Sequence, residues 1–139
     1  MAKYFTLSEM CYSDTANRKG IKNTPNIEQV RNINELMIFL DGIREAWGSG
    51  IRINSGFRCE KLNSLVGGCK TSAHKCGYAA DLYPCNGNFN TFKQFIVKYL
   101  KSKNYDQCII ERSGCSQWVH LGLKNSSGQQ RKQCFSLNV

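Results

Sequence analysis

Ser72-Ala73-His74-Lys75-Cys76-Gly77-Tyr78-Ala79-Ala80-Asp81 sets a histidine and an aspartate on either side of a glycine. The chain has one other histidine, His120, in Trp118-Val119-His120. Two imidazoles and a carboxylate form a donor set that can hold zinc and leave a fourth position open for water. That combination suits a hydrolase. Gly77 permits a close turn between the first two donors. Ala79 to Tyr83 reads as a strand stopped by Pro84, which puts Asp81 on the strand and His74 just ahead of it. Alone, His74 is weak evidence, since a lone histidine more often has a structural or surface role, and Asp81 alone reads as a turn acid. The joint pattern is the informative one.

Working outward, Val30, Ile33, Leu36, Met37, Leu40 and Ile43 recur at spacings of three and four, and Gly48 and Gly50 end the run. This is the clearest helix, and its stripe reads as core. Thr6-Leu7-Ser8-Glu9 resembles a capped helix start. Residues 13–25 are polar and read as loop. Ile51 to Asn54 alternates as a strand, Ser55-Gly56-Phe57-Arg58 follows as a turn, and 59–66 can form a short helix closed by Gly67-Gly68. Phe92, Phe95, Ile96, Tyr99 and Leu100 predict a further helix over about 90–102. Gln107 to Glu111 and Trp118 to Leu123 read as a hairpin around Gly114. The tail from 124 is polar and carries no clear element. Helices and strands without regular alternation predict an α+β fold with a small, largely antiparallel sheet and flanking helices.

The length of 139 residues fits a single domain over 1–139. A hydrophobic share of 41% against 21% charged residues excludes a disordered chain. No run approaches the roughly 20 apolar residues of a membrane span, so no membrane insertion is expected. The N-terminus has no long apolar stretch before Glu9, which reads as no signal peptide and synthesis in the cytoplasm. The net charge of +9 fits a basic solvated surface or an anionic partner. The basic residues are scattered rather than clustered, so nucleic acid is not the expected partner. Eight cysteines allow on the order of a hundred pairings. Without a secretion signal, they read as reduced thiols acting as small hydrophobes.

Ser72, His74, Gly77, Ala79 and Asp81, with Trp118-Val119-His120 downstream, resemble the zinc D-alanyl-D-alanine carboxypeptidases and the related phage peptidoglycan endopeptidases. Ser55-Gly56-Phe57-Arg58 and the Asn63…Gly67-Gly68 segment fit the usual lead-in, and the resemblance covers about residues 27–123. It implies zinc ligands His74, Asp81 and His120, and the α+β fold shared with the signalling domain of hedgehog proteins. It implies that Arg58 holds a substrate carboxylate or oxyanion, for which a planar guanidinium fork suits better than lysine. The alternative for Arg58 is a surface arginine on a turn.

The same family usually carries Glu or Asp three residues before the last zinc histidine as general base. This chain has Gln117 there, and an amide takes no proton at neutral pH. If the hairpin pairs Glu111 with Trp118, then 107, 109 and 111 share a face with 118, 120 and 122. Glu111 then points to the side of His120 and becomes the candidate base, while Asp106 takes the opposite parity. Ser72 can hydrogen-bond substrate or cap its turn. Trp118 can wall the cleft or fill core. Cys76 is not expected as a fourth ligand, since a hydrolytic site keeps a position open.

The expectation is a zinc metallopeptidase, carboxypeptidase or endopeptidase, that cuts peptidoglycan stem peptides. Its setting would be a phage-type endolysin acting as a monomer on the cell wall of a bacterial host. The alternatives are a non-catalytic zinc-stabilised binding module of the same fold, and a basic nucleic-acid binder with cysteine-held zinc.

Overall fold

The long helix is written into its ends. Asn26 accepts the Gln29 amide and donates its own N–H to the Gln29 side chain, both at 2.8 Å, a reciprocal capping box. Gly48 closes the helix in the left-handed conformation. In the computed structural model, which describes residues 2–139, the elements run in chain order. They are α1 (Leu7–Cys11), α2 (Asp14–Lys19), α3 (Ile27–Trp47), β1 (Ile51–Ser55), α4 (Glu60–Leu65), α5 (Ala73–Cys76), β2 (Ala79–Pro84), α6 (Phe89–Leu100), β3 (Gln107–Ser113), β4 (Ser116–Gly122) and β5 (Gln133–Asn138).

The strands form one sheet in the order β1-β2-β4-β3-β5. Its two faces do different work. Leu82, Ala80, Val119, Leu121 and Cys108 point to one side, where they join Ile33, Leu36, Leu40 and Ile43 of α3 and Phe92, Ile96 and Leu100 of α6 in a single core. The odd-numbered residues of β2 and β3 and the even-numbered residues of β4 point to the other side. There the sheet is left open as the floor of a cleft of about 570 Å³.

Two expectations need correction. Residues 13–25 are not all loop. Ser13 caps α2 by accepting the Ala16 amide at 3.1 Å, and Gly20 ends it in the left-handed conformation. The sheet is mixed, because the tail after 124 is not featureless. β5 lies parallel to β3, while the other three pairings are antiparallel. The reason is local. Tyr105 and Asp106, just ahead of β3, accept the backbone N–H groups of Lys132 and Gln133 at 3.0 and 2.9 Å. The returning chain therefore starts β5 at the same end as β3.

Asp106 fastens this return. Its carboxylate accepts the Arg131 backbone N–H at 3.1 Å, Nε at 2.7 Å and Nη2 at 2.8 Å. Asp106 is only 1% exposed. Burial alone pushes its carboxyl up, but the Arg131 contacts outweigh that and hold it below the usual carboxylate range. A depressed folded-state pKa stabilises the fold above the unfolded value of about 4, and the contribution disappears as pH falls through the folded value. Amides of β5 are therefore expected to lose hydrogen-exchange protection in acid before those of β4. Asp106→Asn should loosen β5 in the same way at neutral pH. Equal protection factors for β5 in acid and at neutrality would count against the anchor.

Candidate metal centre

α5 is a single turn held by three side chains, its own cap and two from α3. Ser72 Oγ accepts the His74 amide at 3.2 Å and caps it. From α3, Gln29 Nε2 donates to the Lys75 carbonyl at 3.1 Å and Asn32 Nδ2 to the Cys76 carbonyl at 2.9 Å. Gly77 ends the turn at φ +86°, and a Cβ there would lie 2.7 Å from Ile33 Cγ1 and 2.9 Å from the Gln29 carbonyl. Gly77→Ala combines left-handed strain with overpacking against backbone. It is expected to cost about 2–4 kcal/mol, read as a fall in the urea midpoint. A midpoint equal to wild type would show that α3 can yield.

His74 is buried, and its Nδ1 lies 2.7 Å from the Gly56 carbonyl. A carbonyl only accepts, so Nδ1 carries the proton and Nε2 presents a lone pair. That Nε2 is buried and has no hydrogen-bond partner. It faces Asp81 Oδ1 at 3.4 Å, and His120 Nδ1 faces the same oxygen at 3.1 Å. The register explains the meeting, since Asp81 on β2 is paired directly with His120 on β4. The three donors lie within 4.8 Å of one another, and among the described residues they are the only such group. Donors about 2 Å from a tetrahedral ion sit roughly 3.3 Å apart. The residues therefore fit a zinc ion, and the orphaned Nε2 is the atom that needs one.

The protonation states agree. Burial lowers the His74 pKa and keeps its imidazole neutral. Burial would raise Asp81, but the two histidines beside it outweigh this and hold the carboxyl far below its usual range. A neutral imidazole and a carboxylate are the forms a metal binds.

Glu111 pairs with Trp118, and both line the cleft. Glu111 Oε1 lies 3.9 Å from His120 Nδ1. Burial and then the negative charge of Asp81 push its carboxyl above the usual glutamate value. Gln117 pairs with Arg112 on the opposite parity and does not line the cleft. The amide at that position therefore lies away from the cleft.

Arg58 also lines the cleft, with a buried Nε that lacks a hydrogen-bond partner. Burial lowers its pKa, and Asp81 and Glu111 oppose the shift. Its loop is held by a residue that sequence reasoning missed. Asn23 Nδ2 donates to the carbonyls of Cys11 and Phe57 at 2.9 and 2.8 Å, and its Oδ1 accepts the Cys59 amide at 2.7 Å. No local pattern marks Asn23, because the groups it joins are distant in sequence. Ser72 lines the cleft as well, with its oxygen engaged as the cap. Trp118 walls the cleft, and its Nε1 is buried without a partner. Asp106 lies at the cleft margin but is committed to Arg131. All eight cysteines are free, and none belongs to the convergent donor group.

The peptidase M15 family model matches residues 3–122. The chain belongs to the peptidase M15 family. No match is found among curated proteins. Membership supports a metallopeptidase, a zinc-dependent hydrolase of peptide bonds, and implies a peptidoglycan substrate. No helix of this M15 chain, among the described residues, is long and apolar enough to cross a membrane.

Proposed function

We propose that the protein is a zinc peptidase that hydrolyses a peptide bond in the peptidoglycan stem peptide, with His74, Asp81 and His120 as ligands. The observation that carries this reading is the convergence of His74 Nε2, Asp81 Oδ1 and His120 Nδ1 on the floor of an open cleft, with Glu111 beside them. Zinc held there supplies a Lewis acid for water and for the scissile carbonyl.

In this reading Glu111 takes the proton of the attacking water and passes it to the leaving amine. Its raised pKa suits a base that must also return the proton. Arg58 holds a substrate carboxylate or the developing oxyanion, aided by its buried, unpaired Nε. Ser72 offers its hydroxyl hydrogen to the substrate while its oxygen caps α5. The whole chain acts as one domain and a monomer, in a phage-type lysis role at a bacterial wall, with the +9 charge favouring an anionic envelope.

The test is zinc analysis together with digestion of purified peptidoglycan, read by mass spectrometry. Release of single D-alanine identifies a carboxypeptidase. New amino termini within the stem or cross-link identify an endopeptidase. A zinc-loaded protein that produces neither would overturn the assignment.

A further inference from the structure

One row of paired residues crosses the whole open face of the sheet. Ser55 pairs with Asp81, Asp81 with His120, His120 with Ile109, and Ile109 with Phe135. In the adjacent row, Trp118 pairs with Glu111 and Glu111 with Leu137. Phe135 and Leu137 thus share the face that carries the metal donors and Glu111. They are 43% and 44% exposed. Ile109 and Val139 line the cleft itself, so an apolar surface continues from the cleft onto β5. Its position is fixed by the Asp106–Arg131 contacts and by Gln107 Nε2 donating to Gln133 at 2.9 Å. This strand begins at residue 133, beyond the family match that ends at 122.

Direction follows from the two ends of the row. Arg58 lines the cleft from the β1 side, three residues after Ser55, and Phe135 lies beyond the cleft lining on β5, at the other end of the row. Neighbouring strands are about 4.8 Å apart, so Phe135 lies two spacings, roughly 10 Å, from the strand of His120. An extended peptide rises about 3.3 Å per residue and spans that gap with about three residues. We propose that β5 is a substrate platform. With its carboxyl side toward Arg58, the substrate lays aliphatic surface of the stem, about three residues on the amino side of the cleaved bond, over Phe135 and Leu137. Large exposed apolar side chains on a cleft-facing edge strand suit such a contact.

This inference rests on the peptidase reading, and its test separates the two. The probes are a synthetic stem pentapeptide ending in D-Ala-D-Ala and the dipeptide D-Ala-D-Ala alone. Equilibrium binding is measured on zinc-loaded protein carrying Glu111→Gln to prevent turnover, with and without Phe135→Ala/Leu137→Ala. The ratio of pentapeptide to dipeptide affinity is expected to fall about fivefold or more in the platform variant. An unchanged ratio, with the pentapeptide still bound, overturns the platform alone. Failure of the parent protein to bind either peptide overturns the platform, and the peptidase reading falls with it only where digestion of purified peptidoglycan also yields no product. Sedimentation that shows a dimer dissolved by the double substitution also overturns the proposal, by assigning the surface to self-association.

Discussion

Glu111→Gln is expected to lower kcat on peptidoglycan by roughly 10²- to 10⁴-fold while leaving zinc content at the wild-type level. The substitution keeps the shape and one acceptor oxygen, exchanges the other for an NH2 donor, and removes the ability to take a proton. Glu111 is not among the three convergent donors, so metal retention should not follow the loss of activity. Its carboxyl sits where burial and the Asp81 charge raise its pKa, which makes it a stronger base than a solvated glutamate. The acid limb of kcat/KM belongs to this group in the proposed mechanism. Activity falls as pH drops and the carboxylate is protonated, and Glu111→Gln should abolish that limb in the residual rate. Wild-type turnover in the variant would remove Glu111 from the mechanism and return attention to the rest of the cleft. Metal analysis on the same samples separates a lost base from a lost ion.

Asp81→Ala is expected to abolish zinc retention through dialysis and to bring peptidase activity to background, with the far-UV circular dichroism spectrum unchanged. Asp81 Oδ1 is the point on which both imidazoles converge, so its removal leaves two nitrogens without the charged donor between them. Two neutral imidazoles bind zinc far more weakly than a three-donor site bearing a negative charge. The fold should survive because the apolar core lies on the other side of the sheet, between the strands and α3 and α6. Metal removal from the wild type by a chelator should behave likewise, with lost activity and retained secondary structure. That outcome differs from small zinc modules, whose folding depends on the ion. A cooperative loss of helix signal on chelation would show that the metal centre also holds the fold together.

Much of this arrangement was legible in the sequence, and the reasons are specific. Strand alternation and the loop around Gly114 predict a hairpin but leave its register open, and of the possible registers the observed one pairs Glu111 with Trp118. Parity then places Glu111 with His120 and turns Gln117 away. The three-four spacing in α3 names its buried residues because one face of the helix meets the core. The α2 helix was readable from Ser13 and Gly20, but its short polar body carries no periodic stripe. β5 had no signal of its own, since its residues are exposed on both faces. It is a strand because Tyr105, Asp106 and β3 supply backbone and side-chain partners, a tertiary cause that no local window contains. Asn23 escapes for the same reason.

The division of labour between the two faces of the sheet limits which length changes the gene can absorb. A single codon added or lost within β4 would exchange Trp118 and His120 for Val119 and Leu121, emptying the core and the cleft of their side chains in one step. Changes in length should therefore collect where alternation is not being counted. The Gly114–Cys115 turn and the 124–130 connection, both largely exposed, are the places where a reading-frame-preserving library would return active clones.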